Sequence, residues 1–177
     1  MKTDSKTSRR PASARNQGKR RKAREMAMQM LYQRELGEST LEQIFAAFNP
    51  REYTYTPTDA DTDEEPAPLK GEAAERAREA FAYARQLVEG IASNADQVDE
   101  MIRGHAENWR LERMAVIDRS ILRLAIYEML YETSVPKVVI VDEAIELAKR
   151  FGSEHSGRFV NGLLDGVLKS GDKLAAQ

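Results

Sequence analysis

The feature that most constrains this chain is a run of 64 residues, from 72 to 135, that contains no proline. Within the run, apolar residues return every three or four positions, which is the spacing that places side chains on one face of an α-helix. The clearest stripe comprises Ala77, Ala80, Phe81, Ala84, Leu87, Val88 and Ile91. Because strands alternate their side chains every two residues, this run predicts helices rather than a sheet.

The remaining sequence continues the helical pattern, divided by residues that begin and end helices. Gly37 ends the first segment, and Ser39 or Thr40 can cap the second. Pro136 can start a later segment, which Gly152 ends. The predicted helices cover residues 19–36, 40–48, 72–93, 94–105, 111–131, 137–151 and a last segment from 153. The sequence therefore predicts an all-α protein of about seven helices.

The segment from Leu111 to Tyr131 is apolar on most sides. Only a narrow strip with Arg119, Arg123 and Tyr127 is polar. A helix that is apolar nearly all round lies in the middle of a bundle. The two arginines either extend a basic track or pair with acids on neighbouring helices.

The last predicted helix follows Ser153, which can cap it. Its apolar stripe comprises Phe159, Val160, Leu163, Leu164, Val167 and Leu168. Gly162 and Gly166 stand four residues apart and predict a flat patch that another helix approaches closely. Each glycine costs roughly 1 kcal/mol of helix propensity relative to Ala, so we expect packing at the patch to offset that cost.

Three segments fall outside the helical pattern. Residues 1–18 carry many polar and basic side chains and too few apolar ones to order alone, so we predict a disordered basic arm. Residues 49–71 contain four of the six prolines and an acidic run, which predicts a surface loop. The helical domain is expected to span 19–170, followed by a flexible tail at 171–177.

The net charge of −2 conceals two unlike regions. Residues 1–24 hold ten Lys or Arg and one acid, for a charge of +9. Residues 25–177 hold 17 bases and 28 acids, for a charge of −11. A basic arm on an acidic globule is typical of proteins that bind nucleic acid. A solubilising tail, or a tail that folds back on the acidic body, is the alternative.

The residues that most enzymes need are absent or badly placed. The chain has no Cys, which excludes disulfides, thiolate catalysis and Cys-based zinc sites. The two histidines, His105 and His155, match no metal-binding motif, and no phosphate-binding or dinucleotide-binding glycine motif occurs. We therefore expect no catalytic residue, no metal and no cofactor, and predict that the protein is not an enzyme.

No apolar run approaches the ~18 residues that a membrane helix needs. The basic N-terminus lacks the apolar stretch of a secretory signal, and it lacks the large apolar residues of an amphipathic transit peptide. We expect a cytoplasmic protein that makes no contact with a membrane.

A DNA-binding helix-turn-helix is one alternative. The last two predicted helices are joined at Gly152-Ser153, and Ala148 lies four residues before the glycine. The second helix of such a motif buries residues just inside its start, where this chain has Arg158 and Asn161. A helix-turn-helix protein, or a general nucleic-acid-binding helical protein, is therefore the second hypothesis.

Three segments resemble the NusB transcription antitermination proteins, in order and with suitable spacings. The first is RRKARE at 20–25, followed by Ala27, Gln29, Leu31 and Tyr32. The second is IDRSILRLAIYE at 117–128. The third joins VP at 135–136, VDEAIELAK at 141–149, FG at 151–152 and FVNGLLD at 159–165. Together they cover about residues 19–170.

The resemblance implies a bundle of about seven helices in two packed halves. It also implies pairing with a small-subunit ribosomal protein, called NusE in this role, and binding of the boxA element of nascent RNA. The pair would help the transcription elongation complex read through terminators during ribosomal RNA synthesis. A monomer and a homodimer both suit the resemblance. This chain departs from the family by a longer arm, a longer and more acidic loop at 49–71, and Asp142 where Asn is usual.

The residues expected to contact RNA are Lys19, Arg20, Arg21, Lys22, Arg24, Arg123, Arg158 and Phe159. Arginine-rich segments pair with phosphates and stack on bases, and Arg158 beside an exposed Phe159 would suit an unstacked base. Alternatively, Phe159 belongs to the buried stripe. A basic partner would complement the acidic body, so we expect exposed acids beside the central helix, Glu112 and Asp118, to contact it.

Overall fold

The computed structural model describes residues 12–50, 71–106 and 109–175. The helices are α1 (Ala12–Leu36), α2 (Leu41–Ala47), α3 (Glu72–Ser93), α4 (Ala95–His105), α5 (Val116–Tyr131), α6 (Lys137–Phe151) and α7 (Ser156–Ala175). A 3₁₀ turn, Leu111–Arg113, precedes α5. Within the described ranges there is no strand, and the predicted all-α class with about seven helices is confirmed.

Helix α5 lies at the centre of the bundle. It contacts α1, α3, α4, α6 and α7. Ile121, Leu122 and Ile126 on this helix are completely buried, and burying a side chain of this size contributes roughly 1.5–3 kcal/mol. The apolar circumference of the segment had predicted this central position.

The central helix is shorter than the sequence predicts. It begins at Val116 rather than at Leu111, because Met114 and Ala115 adopt extended backbone angles. The extended residues allow Leu111 and Met114 to turn into the core, where both are buried. Burial of these two side chains therefore takes precedence over an unbroken helix.

Most other boundaries agree with the sequence analysis. Thr40 caps α2: its Oγ1 accepts a hydrogen bond from the Gln43 N–H at 3.3 Å, and Gln43 Oε1 accepts one from the Thr40 N–H at 2.9 Å. This reciprocal capping box decides between Thr40 and Ser39. Helix α3 ends at Ser93, and α6 spans Lys137–Phe151 as expected.

The last helix begins later than expected, at Ser156 rather than directly after Ser153. The reason is that the Oγ of Ser156 is buried and accepts a hydrogen bond from the Ser153 N–H at 2.8 Å. Gly152 makes this tight turn possible, because a Cβ at that position would clash with the Ser156 side chain.

The predicted glycine patch on α7 is used only in part. A Cβ at Gly166 would lie 3.5 Å from His105 Cδ2, so α4 approaches closely there. A Cβ at Gly162 would meet no described atom within 4 Å. The prediction of a close helix contact therefore holds at Gly166 and is wrong at Gly162 for the described part of the chain.

The two ends of the fold extend beyond the predicted domain. Helix α1 begins at Ala12, seven positions before Lys19, and α7 continues to Ala175. The rest of the predicted basic arm, residues 1–11, lies outside the described residues, as do 51–70 of the predicted loop and 176–177 of the predicted tail.

Two further properties concern the described residues alone. None of their helices combines the length and the apolar character that crossing a membrane requires. No group of three or more His, Cys, Asp or Glu among them is arranged to hold a metal ion.

Candidate nucleic-acid interface

The first two cations of the predicted RNA-binding set make exposed contacts with neighbouring helices and loops. Lys19 Nζ lies 2.9 Å from Glu79 Oε2 of α3. Arg20 donates a hydrogen bond to Ser134 Oγ at 3.0 Å and lies 5.9 Å above the ring centroid of Tyr83. Exposed ion pairs contribute only about 0–1 kcal/mol. Both cations can therefore exchange these partners for phosphate at little cost.

Arg21 is held more firmly but keeps donors for a ligand. Its Nε and Nη2 donate to Glu143 Oε2 and Oε1 at 2.9 and 2.7 Å. The hydrogen bonds to Glu143 raise the pKa of Arg21. The Arg21 side chain is 54% exposed. A guanidinium carries five N–H donors. Only Nε and Nη2 of Arg21 donate to Glu143, so its Nη1 group does not bond to this carboxylate.

Arg24 does not reach the surface. Its side chain is 3% exposed, and its Nε and Nη2 donate to Glu128 Oε2 and Oε1 at 2.7 and 2.8 Å. Its Nη1 lies 4.0 Å from Glu143 Oε2. The structure corrects the expectation that Arg24 contacts RNA, because the helical period turns this position toward α5 and α6.

Tyr83 completes a group that we call the anchor cluster, defined as Arg24, Glu128, Tyr83 and Glu132. The Tyr83 hydroxyl donates to Glu132 Oε2 at 2.8 Å and lies 3.5 Å from Glu128 Oε1. Burial, and then the carboxylate of Glu128, raise the pKa of Tyr83. The hydroxyl therefore stays protonated and donates at neutral pH. The anchor cluster fixes the basic end of α1 against α3 and α5.

An open cleft of about 220 Å³ lies beside Arg21, between α1 and α6. Its lining residues are Arg21, Glu25, Glu143, Glu146, Leu147, Lys149 and Arg150. Arg150 Nη1 donates to Glu25 Oε1 at 2.7 Å. Burial raises the pKa of Glu25 and lowers the pKa of Lys22. Lys149 and Arg150, which the sequence analysis did not single out, face Arg21 across the cleft. Lys149 Nζ lies 2.9 Å from Glu146 Oε1 in an exposed pair, so each cation of the cleft has an acidic neighbour.

Arg119 and Arg123 on α5 face acids. Arg123 donates to Asp99 Oδ1 and Oδ2 at 2.7 and 2.9 Å, and its Nη1 lies 3.1 Å from Glu35 Oε2. Arg119 pairs with Glu35 and donates to the Leu111 carbonyl oxygen at 2.7 Å. The structure thus selects the alternative of pairing with neighbouring acids. It argues against the expectation that Arg123 contacts RNA, because that side chain is 22% exposed and three of its five N–H donors bond to Asp99 and Glu35.

Arg158 and Phe159 lie in the first turn of α7. Arg158 is exposed, and no ion pair joins it to any residue that the structure describes. Phe159 is half-buried against the core. It was predicted either to be exposed beside Arg158 or to belong to the buried stripe, and each of these placements holds in part. Its ring contacts Trp109 edge to face, with centroids 5.6 Å apart and planes at 62°.

Trp109 is 58% exposed and was missed by the sequence analysis. It lies between α4 and the 3₁₀ turn, outside any helix. The available signal was its place between two predicted helices and the fact that it is the only tryptophan of the chain.

Two groups of these residues meet where α6 ends and α7 begins. A Cβ at Gly157 would lie 3.1 Å from Lys149 Cγ, so the start of α7 touches the end of α6. Lys149 also lines the cleft beside Arg21. The cleft and the first turn of α7, which carries Arg158 and Phe159, are therefore neighbours. We call the two groups together the basic–aromatic track; its residues are Arg21, Lys149, Arg150, Arg158, Phe159 and Trp109.

The two acids expected to contact a partner protein differ in exposure. Glu112 is exposed and lies 3.6 Å from Arg103, and a hydrogen bond from its own backbone lowers its pKa. Asp118 is 8% exposed, which corrects the expectation of an exposed acid. It lies in the first turn of α5, where the helix dipole favours a negative charge. Its Oδ1 has no hydrogen-bond partner among the described residues.

Comparison with known proteins connects this chain to one family. The model of the NusB family matches residues 21–169. The transcription antitermination protein NusB of Myxococcus xanthus is 42% identical over 151 residues, which make up 85% of this chain and 94% of that relative.

Solved structures with a similar fold come from the same family. NusB of T. maritima superposes with a TM-score of 0.61 at 38% identity, over 85% of this chain and 90% of the other. A crystal structure of NusB and NusE in complex with double-stranded RNA matches with a TM-score of 0.62 at 22% identity, over 86% of this chain and 97% of the other. At that lower identity, the likeness concerns the fold alone.

Proposed function

Since the chain belongs to the NusB family, we propose that it acts as a transcription antitermination factor that binds boxA-type single-stranded RNA together with the ribosomal protein NusE. Together they would act on the transcription elongation complex and promote read-through during ribosomal RNA synthesis. The role is one of binding rather than catalysis, and we place it in the cytoplasm.

The basic–aromatic track is the observation that carries this proposal. Single-stranded RNA is bound through cations that pair with phosphates and through aromatic rings that stack on bases. The track offers Arg21 and Lys149 from two helices and ends at two aromatic rings. The charge of −11 on residues 25–177 repels phosphate over much of the remaining surface. Both effects favour the track as the path of the RNA.

The anchor cluster supports the proposal in a different way. Arg24 donates two hydrogen bonds to the buried Glu128 and thereby holds the part of α1 that carries Arg21 against α5. A binding group that is already held in place loses less conformational entropy when the ligand arrives. We therefore assign Arg24 to positioning the RNA-binding helix, and Arg21 to phosphate contact through its unused Nη1 group.

A basic partner protein suits the acidic body. Opposite charges accelerate the encounter of two proteins and fix their relative orientation. Glu112 is exposed for such an encounter. An unpaired buried carboxylate oxygen costs free energy, and Oδ1 of Asp118 is such an oxygen among the described residues, so a partner's donor would bond to it only if the start of α5 shifts on binding. We propose both residues as contacts to NusE.

The RNA-binding part of the proposal is tested by the affinity of the full chain, mixed with NusE, for a boxA-like single strand at several salt concentrations. Arg21→Ala should weaken binding, and the log–log salt slope should become shallower by about 0.7 for each lost phosphate contact. The matched control is Arg78→Ala, which removes the same charge from an exposed position on α3, where Arg78 lies 3.3 Å from Glu75. That control should leave the slope unchanged.

The same titration decides between the two functional hypotheses. Scrambled single-stranded RNA, double-stranded RNA and duplex DNA serve as competitors, and the boxA-like strand should be preferred to all three. Equal competition by duplex DNA would favour the helix-turn-helix alternative. Equal losses for Arg21→Ala and Arg78→Ala would show that net charge alone, and not the track, attracts the RNA.

The partner contacts are tested by association kinetics with NusE. Glu112→Lys should slow association and reduce its dependence on salt, because it reverses an exposed charge in the proposed interface. Asp118→Asn keeps the shape of the buried side chain and should speed dissociation. Glu72→Lys reverses an exposed charge at the start of α3 and should change neither rate. The proposed contact is wrong if Glu112→Lys and Glu72→Lys have the same effect.

A further inference from the structure

Trp109 is an exposed tryptophan whose surroundings suit an unpaired base. Large aromatic side chains are highly buried on average, yet this one is 58% exposed. Its contact with Phe159 is edge to face at 5.6 Å, and Phe159 in turn packs against the core. The half-buried ring thus supports an exposed ring, which keeps the position of Trp109 defined while much of its surface stays accessible.

The charges near the two rings favour nucleic acid. Arg110 follows Trp109 directly and is exposed, and Arg158 precedes Phe159 directly and is exposed. Arg158 has no ion pair with the residues of the described ranges. Within the described ranges, the acid nearest to Trp109 in sequence is Glu112, which lies 3.6 Å from Arg103. Aromatic rings flanked by cations combine stacking with phosphate pairing, which is how proteins hold single-stranded nucleic acid.

We propose that Trp109 and Phe159 form a stacking site for one unpaired RNA base, with Arg158 and Arg110 holding the phosphates on either side of that base. This inference rests on the proposed RNA-binding function. It adds Trp109 to the residues that were predicted from the sequence to contact RNA. Phe159 lies in the first turn of α7, the helix whose start touches Lys149, and an RNA strand held by the cations of α1 and α6 would extend to the site along this helix. The base stacks on the exposed ring of Trp109, and Phe159 supports that ring from the side.

A protein partner is the competing occupant of this surface. Exposed tryptophans are also frequent in protein interfaces. The acidic body attracts a basic partner, however, and Arg110 and Arg158 would repel one locally. The cations therefore favour RNA over a basic protein at this position. A protein contact would show itself as a change in Trp109 emission when NusE is added.

The chain provides its own probe, because Trp109 is its only tryptophan. The emission of the full chain is recorded first alone, then with NusE, and then during titration with a boxA-like single strand. The same titration with Trp109→Phe supplies the background from NusE. Stacking of a base on the indole should quench the difference signal by more than half upon RNA addition. Replacing the stacked base by an abasic site should remove the quenching, while abasic sites elsewhere in the strand should not.

Affinity measurements complete the test. Trp109→Ala should weaken RNA binding by about 5- to 150-fold, the range that alanine substitution of a base-stacking aromatic produces. Trp109→Phe should recover most of the loss, because Phe also offers a flat face. Leu36→Ala removes another exposed apolar side chain, at the end of α1, and should leave the affinity unchanged. Thermal unfolding of each variant verifies that the fold is retained.

The outcomes separate this inference from the proposed function. Wild-type affinity in Trp109→Ala, together with an emission that does not change on RNA addition, overturns the stacking site and leaves the RNA-binding function intact. An emission change on NusE addition that RNA does not alter also overturns it and assigns Trp109 to the protein interface. Failure of the wild-type mixture to bind RNA at all overturns the proposed function itself.

Discussion

The middle of α1 and the start of α7 both carry arginines that look suited to RNA, but the fold uses them differently. In the middle of α1, Arg24 is buried against Glu128 and Arg21 donates two hydrogen bonds to Glu143. At the start of α7, Arg158 is exposed beside the Phe159–Trp109 pair. The arginines of α1 therefore pair with acids of the protein and stabilise the fold. At the start of α7, the arginine and the neighbouring rings remain accessible at the surface.

The strongest way to break this comparison is to remove Arg24. Arg24→Ala leaves the carboxylate of Glu128 buried without its bidentate partner, and removal of one member of a buried pair costs about 3–5 kcal/mol. The free energy of unfolding, measured by denaturant titration, should fall by this amount. RNA affinity of the folded variant should fall only moderately, because α1 and its Arg21 are then held less firmly while no direct RNA contact is lost.

A double replacement is the control for Arg24. Arg24→Met with Glu128→Leu removes both charges and keeps the apolar volume, so it should restore most of the stability lost in Arg24→Ala. If Arg24→Ala instead unfolds like the wild type and binds RNA weakly, Arg24 is a direct RNA contact and the contrast between the two regions fails.

Arg123 offers a smaller effect of the same kind. Its three donated hydrogen bonds to Asp99 and Glu35 hold α5 against α4 and α1. Arg123→Ala should reduce the free energy of unfolding by about 1.5–3 kcal/mol, the range for hydrogen bonds to charged groups. Affinity for RNA should stay within twofold of the wild type when measured well below the unfolding temperature. A large loss of affinity in a folded Arg123→Ala variant would restore this residue to the RNA surface.

The smallest expected effect concerns Glu25 and is a change in how the free energy of unfolding depends on pH. Burial raises the pKa of its carboxyl above the ordinary value, despite the pair with Arg150. A carboxyl whose pKa is higher in the folded state binds its proton more tightly there. The stability that this proton confers is therefore present at low pH and lost as pH rises through the raised pKa. Glu25→Gln should lack this dependence.

The measurement for Glu25 is the difference in unfolding free energy between Glu25→Gln and the wild type from pH 4 to pH 7. The difference should shift in favour of the variant as pH rises. The opposite trend would show that the ion pair with Arg150 lowers the pKa of Glu25 by more than burial raises it.

The helices were predictable because their signals are local. Pro136 and Gly152 bound α6 correctly, and the apolar circumference of residues 116–131 identified the central helix. The late start of α7 was not predictable, because it depends on burial of Ser156 in the folded turn. Local sequence therefore determines which segments are helical, and tertiary packing adjusts where some of them begin.

The candidate site was only partly predictable from sequence. The basic run of α1 and the Arg158–Phe159 pair were visible, but their exposure was not. Burial of Arg24 depends on Glu128, which lies 104 positions away. The same limit explains Asp118, whose polarity predicted a surface position and whose place in α5 buries it. Trp109 lies outside any helical pattern and contacts Phe159 only after α4 and α7 have packed together.

Photo-crosslinking tests the central claim most directly, namely that RNA follows the basic–aromatic track and avoids the arginines that hold the fold together. A boxA-like strand carrying 5-iodouracil at each position in turn is irradiated with the full chain and NusE, and crosslinked peptides are identified by mass spectrometry. The account predicts crosslinks to Trp109 or Phe159 at one position and to residues 19–22 or 149–150 at others. Crosslinks confined to the surface around Arg123, with none to Trp109 or Phe159, would contradict it.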